Sequence, residues 1–416
     1  MRLRPTPRGW TLAGVGALVV LAGIAMGSVD LVRLGIVPLV LVGGCAAFVA
    51  WRDPGRGRRA LAVHRLVVPN PVHAGDRAQA EVRIASTDSA SRARLAGLRF
   101  AEQAATELSA GRALRARVQR APGLVTVTYG FEAGRRGRWP LGPLVVTRTD
   151  VFGAVTAATT MGEQAEVTVW PSVAALPAPS DVLVGEPDRV ALGARSPSTD
   201  DSALRDYREG DDLRRVHWRS SARRGQLLVR SDERAGKRPV SVLLDLPPRA
   251  KHVEWTVSLA ASCALAMLDS GHPVRILDGV GAHTAAAGVP YLHARHDGAR
   301  AALLDATVDL QAPHGTTEAL TRVVAAAHLL EHADAGGEIV IGVLGPLGPG
   351  ARAALTHVAE AAQGWAMVRT DPEHPGESRD AEHTVNALRR AGWRACHVTP
   401  DEPLVDAWLR LLGTAR

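Results

Sequence analysis

The sequence predicts three successive parts: a hairpin of two transmembrane helices, a β-sandwich-like module and a doubly wound α/β domain. Three observations predict this order. Two long uncharged apolar runs lie within residues 1–59, short β-branched runs separated by turn residues occupy 60–175, and apolar strands alternate with helices over 239–416. Hydrophobic residues make up 46% of the 416 residues, which excludes a wholly disordered chain.

The first part predicts a membrane hairpin because two runs are long enough to cross a bilayer. Trp10–Gly27 carries no charge over eighteen residues, about 27 Å of helix against a hydrocarbon core of about 30 Å. A second uncharged run follows at Leu34–Ala50. We therefore expect helices at about 10–27 and 34–50. Arginines flank both outer ends, which predicts a plasma (inner) membrane protein with both termini in the cytoplasm.

A cleaved signal peptide is the alternative for this region. The basic start fits it, but the apolar run is longer than the usual 7–15 residues and a second run follows at once. Within the first helix, Gly23 and Gly27 form a G-x-x-x-G step, which fits either a helix-packing face or a chance occurrence in a chain with 41 glycines.

Residues 60–175 predict an antiparallel β module. Its expected strands are Ala62–Val68, Ala80–Ala85, Leu124–Phe131, Leu144–Thr149 and Glu166–Val169. Residues 87–121 are rich in Ala and Arg and favour no element. The module contains no His/Cys/Asp cluster, so we expect it to act as a spacer or binding platform.

The C-terminal domain, 239–416, predicts a parallel sheet because buried-type strands alternate with helices. Expected strands are Pro239–Leu246, Val274–Leu277, Glu338–Leu344, Trp365–Arg369 and Trp393–Val398. Expected helices are His252–Ser270, Glu318–Ala333, Ala351–Gln363, Ala381–Ala391 and Pro403–Leu412.

The net charge of +7 invites a nucleic-acid hypothesis, and the distribution of the charge argues against it. Residues 1–59 carry +6 around the membrane hairpin, residues 205–238 carry +5, and the remainder carries −4. A nucleic-acid surface needs uncompensated basic charge with interleaved aromatic residues. Residues 205–238 mix eleven bases with six acids and hold only Tyr207 and Trp218 as aromatics. We therefore expect no nucleic-acid partner.

The densest motif lies in the linker 176–238. It reads Tyr207-x-x-Gly210-Asp211-Asp212-x-Arg214-x-Val216-His217-Trp218-x-x-Ser221-Ala222-Arg223. This run resembles the signature of the domain-of-unknown-function 58 family of bacterial membrane proteins. The stretches 135–144, 150–153 and 169–171 are similar to the same family, so the resemblance extends over nearly the whole chain. The site candidates in the motif are Tyr207, Gly210, Asp211, Arg215, His217, Trp218, Arg219 and Arg223.

The resemblance implies a von Willebrand factor A-like domain after the motif and association with MoxR-type AAA+ ATPases and other membrane or envelope proteins. It implies no catalytic activity and no cofactor, and self-association of the chain stays open. Such domains usually carry Asp-x-Ser-x-Ser, whose oxygens bind Mg²⁺. Here Pro247 and Arg249 replace both hydroxyls behind Asp245. We therefore expect a degenerate site in which Arg249 pairs with Asp245 in place of a metal.

An enzyme is the competing class. His328-Leu329-Leu330-Glu331-His332 matches H-x-x-E-H, a zinc-hydrolase pattern in which both histidines share a helix face, although no convincing third ligand is apparent. The Asp245 loop is the other hydrolase candidate. Gly345–Gly350 stands between a strand and a helix but lacks the phosphate-loop Lys. Cys263 and Cys396 lie in apolar segments, which predicts buried, inert thiols.

The sequence thus predicts a non-catalytic, membrane-anchored adaptor that serves an assembly or envelope-related process. We expect partner docking at Tyr207–Arg223 and at the loop Asp245–Arg249. Trp218 suits a packing anchor, whereas Arg219 and Arg223 suit bidentate recognition of carboxylates on a partner.

Overall fold

The computed structural model describes residues 2–51, 62–85, 98–111, 114–178, 204–206, 221–222, 225, 228–230, 237–248, 252–280, 289–331, 337–370 and 375–413. The chain divides into two compact units, Met1–Ser172 and Val173–Arg416. The first unit contains two apolar helices and two β-sheets, and the second contains a parallel sheet flanked by helices.

The N-terminal hairpin consists of helix α1 (Pro7–Ala25) and helix α2 (Val29–Trp51). Both are long and apolar enough to cross a membrane. Thr6 caps α1 by accepting a hydrogen bond from the Gly9 amide at 3.1 Å. The connection between the two helices is shorter than the gap between the predicted helices, 28–33, because α2 already begins at Val29. Asp30 and Arg33 belong to α2, where they form an exposed ion pair at 3.4 Å.

Glycine residues let the two helices approach closely. A Cβ added at Gly16 would lie 2.8 Å from the Gly35 carbonyl oxygen, and one added at Gly23 would lie 2.8 Å from the Val32 amide nitrogen. A Cβ added at Gly27, by contrast, would meet nothing within 4 Å among the described residues. The packing face therefore includes Gly16 and Gly23, seven residues apart, and the predicted step from Gly23 to Gly27 is wrong in its second member.

Replacing Gly16 with leucine is expected to separate the hairpin helices, because the added side chain meets backbone that cannot yield. Overpacking of this kind costs about 1–3 kcal/mol or more. Gly14→Leu is the matched control, since a Cβ added at Gly14 of the same helix would meet none of the described residues within 4 Å. Thermal unfolding of the detergent-solubilised chain checks this. Equal melting temperatures for the two variants would contradict it.

The rest of the first unit is a β module with a short helix. The strands are β1 (Arg2–Pro5), β2 (Ala62–Val68), β3 (Val72–His73), β4 (Arg77–Ala85), β5 (Arg99–Ala104), β6 (Ala116–Ala121), β7 (Leu124–Glu132), β8 (Gly137–Thr149), β9 (Val155–Met161) and β10 (Ala165–Trp170), with helix α3 at Thr106–Ser109. One sheet has the strand order β2-β4-β7-β6. The other has the order β1-β9-β8-β10-β3, with β5 also beside β8.

Both sheets contribute to one apolar core. Ile84 and Val127 from one sheet and Leu144 and Val167 from the other are fully or almost fully buried in the same cluster. The alternating burial of β4 and β7 produces this arrangement, since every second side chain faces the core. The sheet is not purely antiparallel as predicted, because β10 pairs with β3 in parallel.

The sequence pattern does not predict several of these strands, and three of the omissions have identifiable reasons. β6 is exposed along its whole length, and Val118 is its only large apolar residue, so its sequence carries little strand signal. β9 combines small and Thr residues with little apolar signal. β1 lies before the first helix and pairs with β9. The arginines of residues 2–5 thus belong to a sheet edge as well as to the basic flank of the hairpin.

The second unit holds a two-stranded sheet, in which β11 (Leu204–Asp206) pairs with β12 (Leu228–Arg230), and a separate five-stranded parallel sheet. The five strands are β13 (Val240–Leu244), β14 (Val274–Leu277), β15 (Ile339–Leu344), β16 (Gln363–Arg369) and β17 (Arg394–Val398). Their order in the sheet is β14-β13-β15-β16-β17. The helices are α4 (Val253–Asp269), α5 (Ala299–Val308), α6 (Thr316–Glu331), α7 (Pro349–Ala361), α8 (Pro375–Arg390) and α9 (Leu404–Gly413).

Helices cover both faces of this sheet. Leu330 of α6, Leu355 of α7 and Val385 of α8 share one buried cluster with strand residues such as Val340. Helices α4 and α9 contact the strands and each other on the opposite side. The strand order reverses at β13, which has β14 on one side and β15 on the other. In parallel α/β sheets such a reversal opens a crevice at the carboxyl ends of the strands.

Candidate functional site

The crevice lies at the carboxyl ends of β13, β15 and β16 and has a volume of about 230 Å³. The loop after β13 supplies Asp245 and two prolines, and the loop after β15 supplies Gly345 and Pro346. Glu377 and Asp380 of α8 add carboxylates to the lining. The remaining lining residues are Leu246, Pro247, Pro248, His252, Thr316, Ala319, Leu320, Gly348, Arg369 and Pro400.

Asp245 is the central acidic group, and its carboxylate is already engaged. The residue is 7% exposed. The Gly345 amide donates to Asp245 Oδ2 at 2.7 Å, and Arg369 Nη2 lies 3.4 Å from the same oxygen. The Asp245 amide donates to the Val343 carbonyl at 3.0 Å, which ties the start of the loop to β15. The carboxylate therefore joins the ends of three strands.

Arg369 is the last residue of β16 and is 6% exposed. Its Nη1 donates to Thr256 Oγ1 of α4 at 2.8 Å, and Thr256 Oγ1 donates to the His252 carbonyl at 2.7 Å. A Cβ at Gly345 would lie 2.7 Å from Arg369 Nη2, so a residue with a side chain would collide with the guanidinium. Glycine at this position lets the loop lie directly against the ion pair.

The electrostatics of the pair follow from burial. Burial raises the pKa of the Asp245 carboxyl, and the Arg369 charge and the Gly345 amide oppose the shift by stabilising the carboxylate. Burial lowers the pKa of Arg369, and the carboxylates of Asp245 and Glu377 oppose that shift. Each group thus needs the other to stay charged in this environment.

These residues do not fit a divalent cation. A hard cation needs several oxygen ligands, and the positions behind Asp245 are Leu246, Pro247 and Pro248, none of which has a side-chain oxygen. Asp245 Oδ2 is already shared by an amide and a guanidinium. Among the described residues, no group of three or more His, Cys, Asp or Glu side chains could hold a metal ion.

We expect no change in melting temperature when Mg²⁺ or Mn²⁺ is added to the purified chain at low millimolar concentration. A specific ligand at a hundred times its dissociation constant would stabilise the fold by about 2.7 kcal/mol, which is readily measured. Calorimetry in the presence and absence of a chelator checks this. A concentration-dependent rise that disappears in the Asp245→Asn variant would contradict it.

The expected pairing of Asp245 with Arg249 is not tested, because Arg249 lies outside the described residues. Arg369 provides a guanidinium in the role that we expected of Arg249. Sequence reasoning missed Arg369 and Thr256, which are separated by 113 positions. The available signal was the charge of Arg369 at the end of an otherwise apolar strand.

The signature segment lies largely outside the described residues. Tyr207, Gly210, Asp211, Arg215, His217, Trp218, Arg219 and Arg223 are all among those not described. The flanking strands β11 and β12 pair antiparallel, with Asp206 opposite Leu228. This pairing places Asp206 and Leu228, which flank the segment, beside each other. Within it, Ser221 is buried and its carbonyl accepts a hydrogen bond from the Gly225 amide at 2.9 Å.

Within the described residues, the side chains of the alternative enzymatic motifs do not come together as a catalytic site. His328 is exposed, and its Nδ1 lies 3.1 Å from Glu331 Oε2, while His332 is not described. The Gly345 amide of the glycine-containing loop is used by Asp245. Cys263 and Cys396 are buried, as predicted. Burial raises the pKa of both thiols, to about 12 for Cys396, so they are protonated at neutral pH.

Comparison with known families and structures agrees with the motif. The family model described as "Protein of unknown function DUF58" matches residues 203–278, which include the signature segment, β13, α4 and β14. The match supports assignment of this segment to that family. No curated protein matches the chain significantly.

Similarity to solved structures is weak. The PilB minor pilin from Streptococcus sanguinis, as its D319A mutant, has a TM-score of 0.27 at 9% identity, covering 77% of this chain and 86% of the pilin. The enterobactin esterase FES from Shigella flexneri has a TM-score of 0.19 at 12% identity, covering 84% of this chain and 96% of the esterase.

Proposed function

We propose that this protein is a non-catalytic adaptor that is anchored in the bacterial plasma membrane by α1 and α2 and carries a cytoplasmic body. Its second unit is a von Willebrand A-like domain that docks a MoxR-type AAA+ ATPase or another envelope protein. The arginines before α1 and after α2 support this orientation, because basic flanks are retained on the cytoplasmic side.

One observation carries the non-catalytic assignment. Asp245, the carboxylate that follows the first strand of the parallel sheet, is paired internally with Arg369 and with the Gly345 amide. A group committed to two internal partners is poorly placed to activate water or to bind a cation. The crevice instead offers proline and leucine side chains for apolar contact with a protein, and its carboxylates at α8 suit basic side chains of that partner.

The strand order of the sheet is that of a doubly wound α/β domain, and the family resemblance supplies the finer von Willebrand A-like assignment that we propose. Helices cover both faces, and an aspartate follows the first strand at the reversal of strand order. The family resemblance supplies the choice of partner, since MoxR association is a property of the resembling family. We place the docking surface on Tyr207–Arg223 and on the loop beginning at Asp245.

Arg219→Ala combined with Arg223→Ala is expected to weaken partner capture roughly tenfold or more, since arginine is enriched among the interface hot spots whose truncation costs about 2 kcal/mol or more. Crosslinking in intact membranes, followed by quantification of the captured AAA+ ATPase, checks this. Arg115→Ala with Arg117→Ala is the control, because it removes the same charge from exposed positions in the other unit. Equal capture by both double variants, with unchanged melting temperatures, would refute the docking surface.

A further inference from the structure

The turn between β8 and β9 presents two apolar side chains beside the hairpin. Val151 is 88% exposed and Phe152 is 60% exposed. Together with Val40, Leu41, Gly44, Cys45, Phe48 and Asp150 they line a groove of about 420 Å³. Exposed apolar side chains are common on soluble proteins when single, but a contiguous apolar surface marks contact with a partner or a membrane.

The turn is fixed against both helices of the hairpin. A Cβ at Gly9 would lie 2.1 Å from the Ala154 carbonyl oxygen, so α1 touches the turn backbone directly. Thr6 Oγ1 donates to the Gly153 carbonyl at 2.6 Å. Ala154 and Val155 form a buried cluster with Cys45 of α2. The turn, the first residues of α1 and the part of α2 around Cys45 therefore lie at the same height along the hairpin.

Helix length determines where that level lies relative to the bilayer. The stretch of α1 beyond its contacts with the turn, 13–25, is about 20 Å long at about 1.5 Å per residue. The stretch of α2 that precedes the groove, 29–39, is about 17 Å long. Neither reaches the roughly 30 Å of a hydrocarbon core. A spanning hairpin must therefore place residues 40–48, and the turn beside them, within the membrane leaflet.

The Asp150 carboxylate of the turn suits that depth because it has internal partners. The Asp150 carboxylate accepts hydrogen bonds from the Phe152 amide at 2.7 Å and the Val155 amide at 2.5 Å. Arg148 is buried, and its Nη1 donates to the Val49 carbonyl at 3.1 Å, at the end of α2. Groups without water need such partners.

We propose that the β8–β9 turn, Asp150–Gly153, inserts into the headgroup–acyl boundary of the membrane leaflet, and that a lipid acyl chain fills the groove beside α2. Arg8, whose guanidinium lies next to Gly153, and Trp10, which is 65% exposed, provide the polar and aromatic side chains of that boundary. The β module is thus seated in the bilayer surface as well as tethered to it. This inference rests on the proposed membrane anchoring of α1 and α2.

Depth-dependent fluorescence quenching tests the insertion. Phe152→Cys in the full chain is labelled with an environment-sensitive NBD maleimide and reconstituted in phosphatidylcholine–phosphatidylglycerol vesicles whose acyl chains carry bromine. The described native cysteines are buried, and the unsubstituted chain measures any background labelling. Leu21→Cys, 67% exposed in α1, is the membrane reference, and Val118→Cys, 41% exposed in β6, is the reference outside the turn.

We expect the label at residue 152 to show blue-shifted emission, to lose most of its intensity in brominated vesicles and to resist aqueous iodide. The label at Val118 should show the opposite pattern. A label at 152 that is quenched by iodide and not by bromine, while the label at 21 is quenched by bromine, overturns the insertion and leaves the anchoring intact. Failure of bromine to quench the label at 21 overturns the anchoring and the insertion with it.

Discussion

Replacing Arg369 with methionine is expected to lower the free energy of unfolding by about 3–5 kcal/mol, because it leaves the Asp245 carboxylate buried without its counter-charge. The loss should be far larger than for an exposed ion pair. Arg300 and Asp269 form such a pair at 2.7 Å, with both side chains more than half exposed. Arg300→Met, the matched control in the same unit, should cost less than about 1 kcal/mol.

Denaturant unfolding of the detergent-solubilised chain measures both variants. Trp365 and Trp408, which are fully buried in the second unit, contribute to the fluorescence signal. Adding Asp245→Asn to Arg369→Met should recover part of the loss, since the amide removes the buried charge and its oxygen can still accept from the Gly345 amide. A double variant as unstable as the sum of the two single variants would show that the pair is not coupled.

The stability of the Arg369→Met single variant should also become dependent on pH, because the Asp245 carboxyl is still present. The Asp245 pKa is already raised by burial, and loss of the Arg369 charge raises it further. The folded variant then binds a proton more tightly than the unfolded chain. The stability that protonation restores is fully present below the unfolded-state pKa and is lost as pH rises through the raised folded-state pKa. If the difference in unfolding free energy between the variant and the unsubstituted chain does not decrease as the pH is lowered, this prediction is wrong.

Replacing Glu338 with leucine is expected to have an effect of the same size at the opposite end of the sheet. Glu338 is 2% exposed, and its carboxylate lies 3.2 Å from Arg275 Nη2. Arg275 Nε donates to Ser241 Oγ at 2.6 Å, and the Tyr291 hydroxyl donates to Glu338 Oε1 at 2.8 Å. The network joins β13, β14 and the start of β15. Removing the carboxylate leaves the buried Arg275 charge without its partner. We expect the free energy of unfolding to fall by about 3–5 kcal/mol.

Tyr291 reports on this network independently of stability. Burial, followed by the hydrogen bond to Glu338 and its negative charge, raises the pKa of Tyr291 to about 12. Glu338→Leu should lower that pKa, because the carboxylate is gone and Arg275 remains. Ultraviolet titration, with Tyr291→Phe to assign the signal, checks this. Glu338→Gln keeps the shape and should destabilise less. Unchanged stability in Glu338→Leu would show that the carboxylate is dispensable.

Much of the second unit can be predicted from the sequence. The apolar residues of its strands and helices recur with different spacings, and turn residues separate the elements. The pattern predicts Val274–Leu277 to the residue, and the other strands of the sheet within a few residues. It misses helix α5, since 299–308 is short and rich in alanine. The prolines behind Asp245 also indicate a site unlike an Asp-x-Ser-x-Ser loop.

The ion pairs could not be predicted, because they join residues far apart in the sequence. Asp245 and Arg369 are 124 positions apart, and Arg275 and Glu338 are 63 apart. Periodicity locates a residue on a strand but does not say which strand lies beside it. The proposed membrane contact of the β8–β9 turn could not be predicted from the sequence either, because it depends on packing of the turn against Gly9 and Cys45.

The pairing of Asp245 with Arg369 has a consequence for regulation. A counter-charge supplied by a dissolved cation varies with the concentration of that cation, so a metal-bridged docking site can be loaded and emptied. Here the counter-charge is covalently part of the chain and is buried, so ionic strength screens it little. The Asp245–Arg369 pair therefore keeps its charge in chelator and in magnesium alike, and a partner that docks at the crevice, as proposed, meets the same pair at any cation concentration.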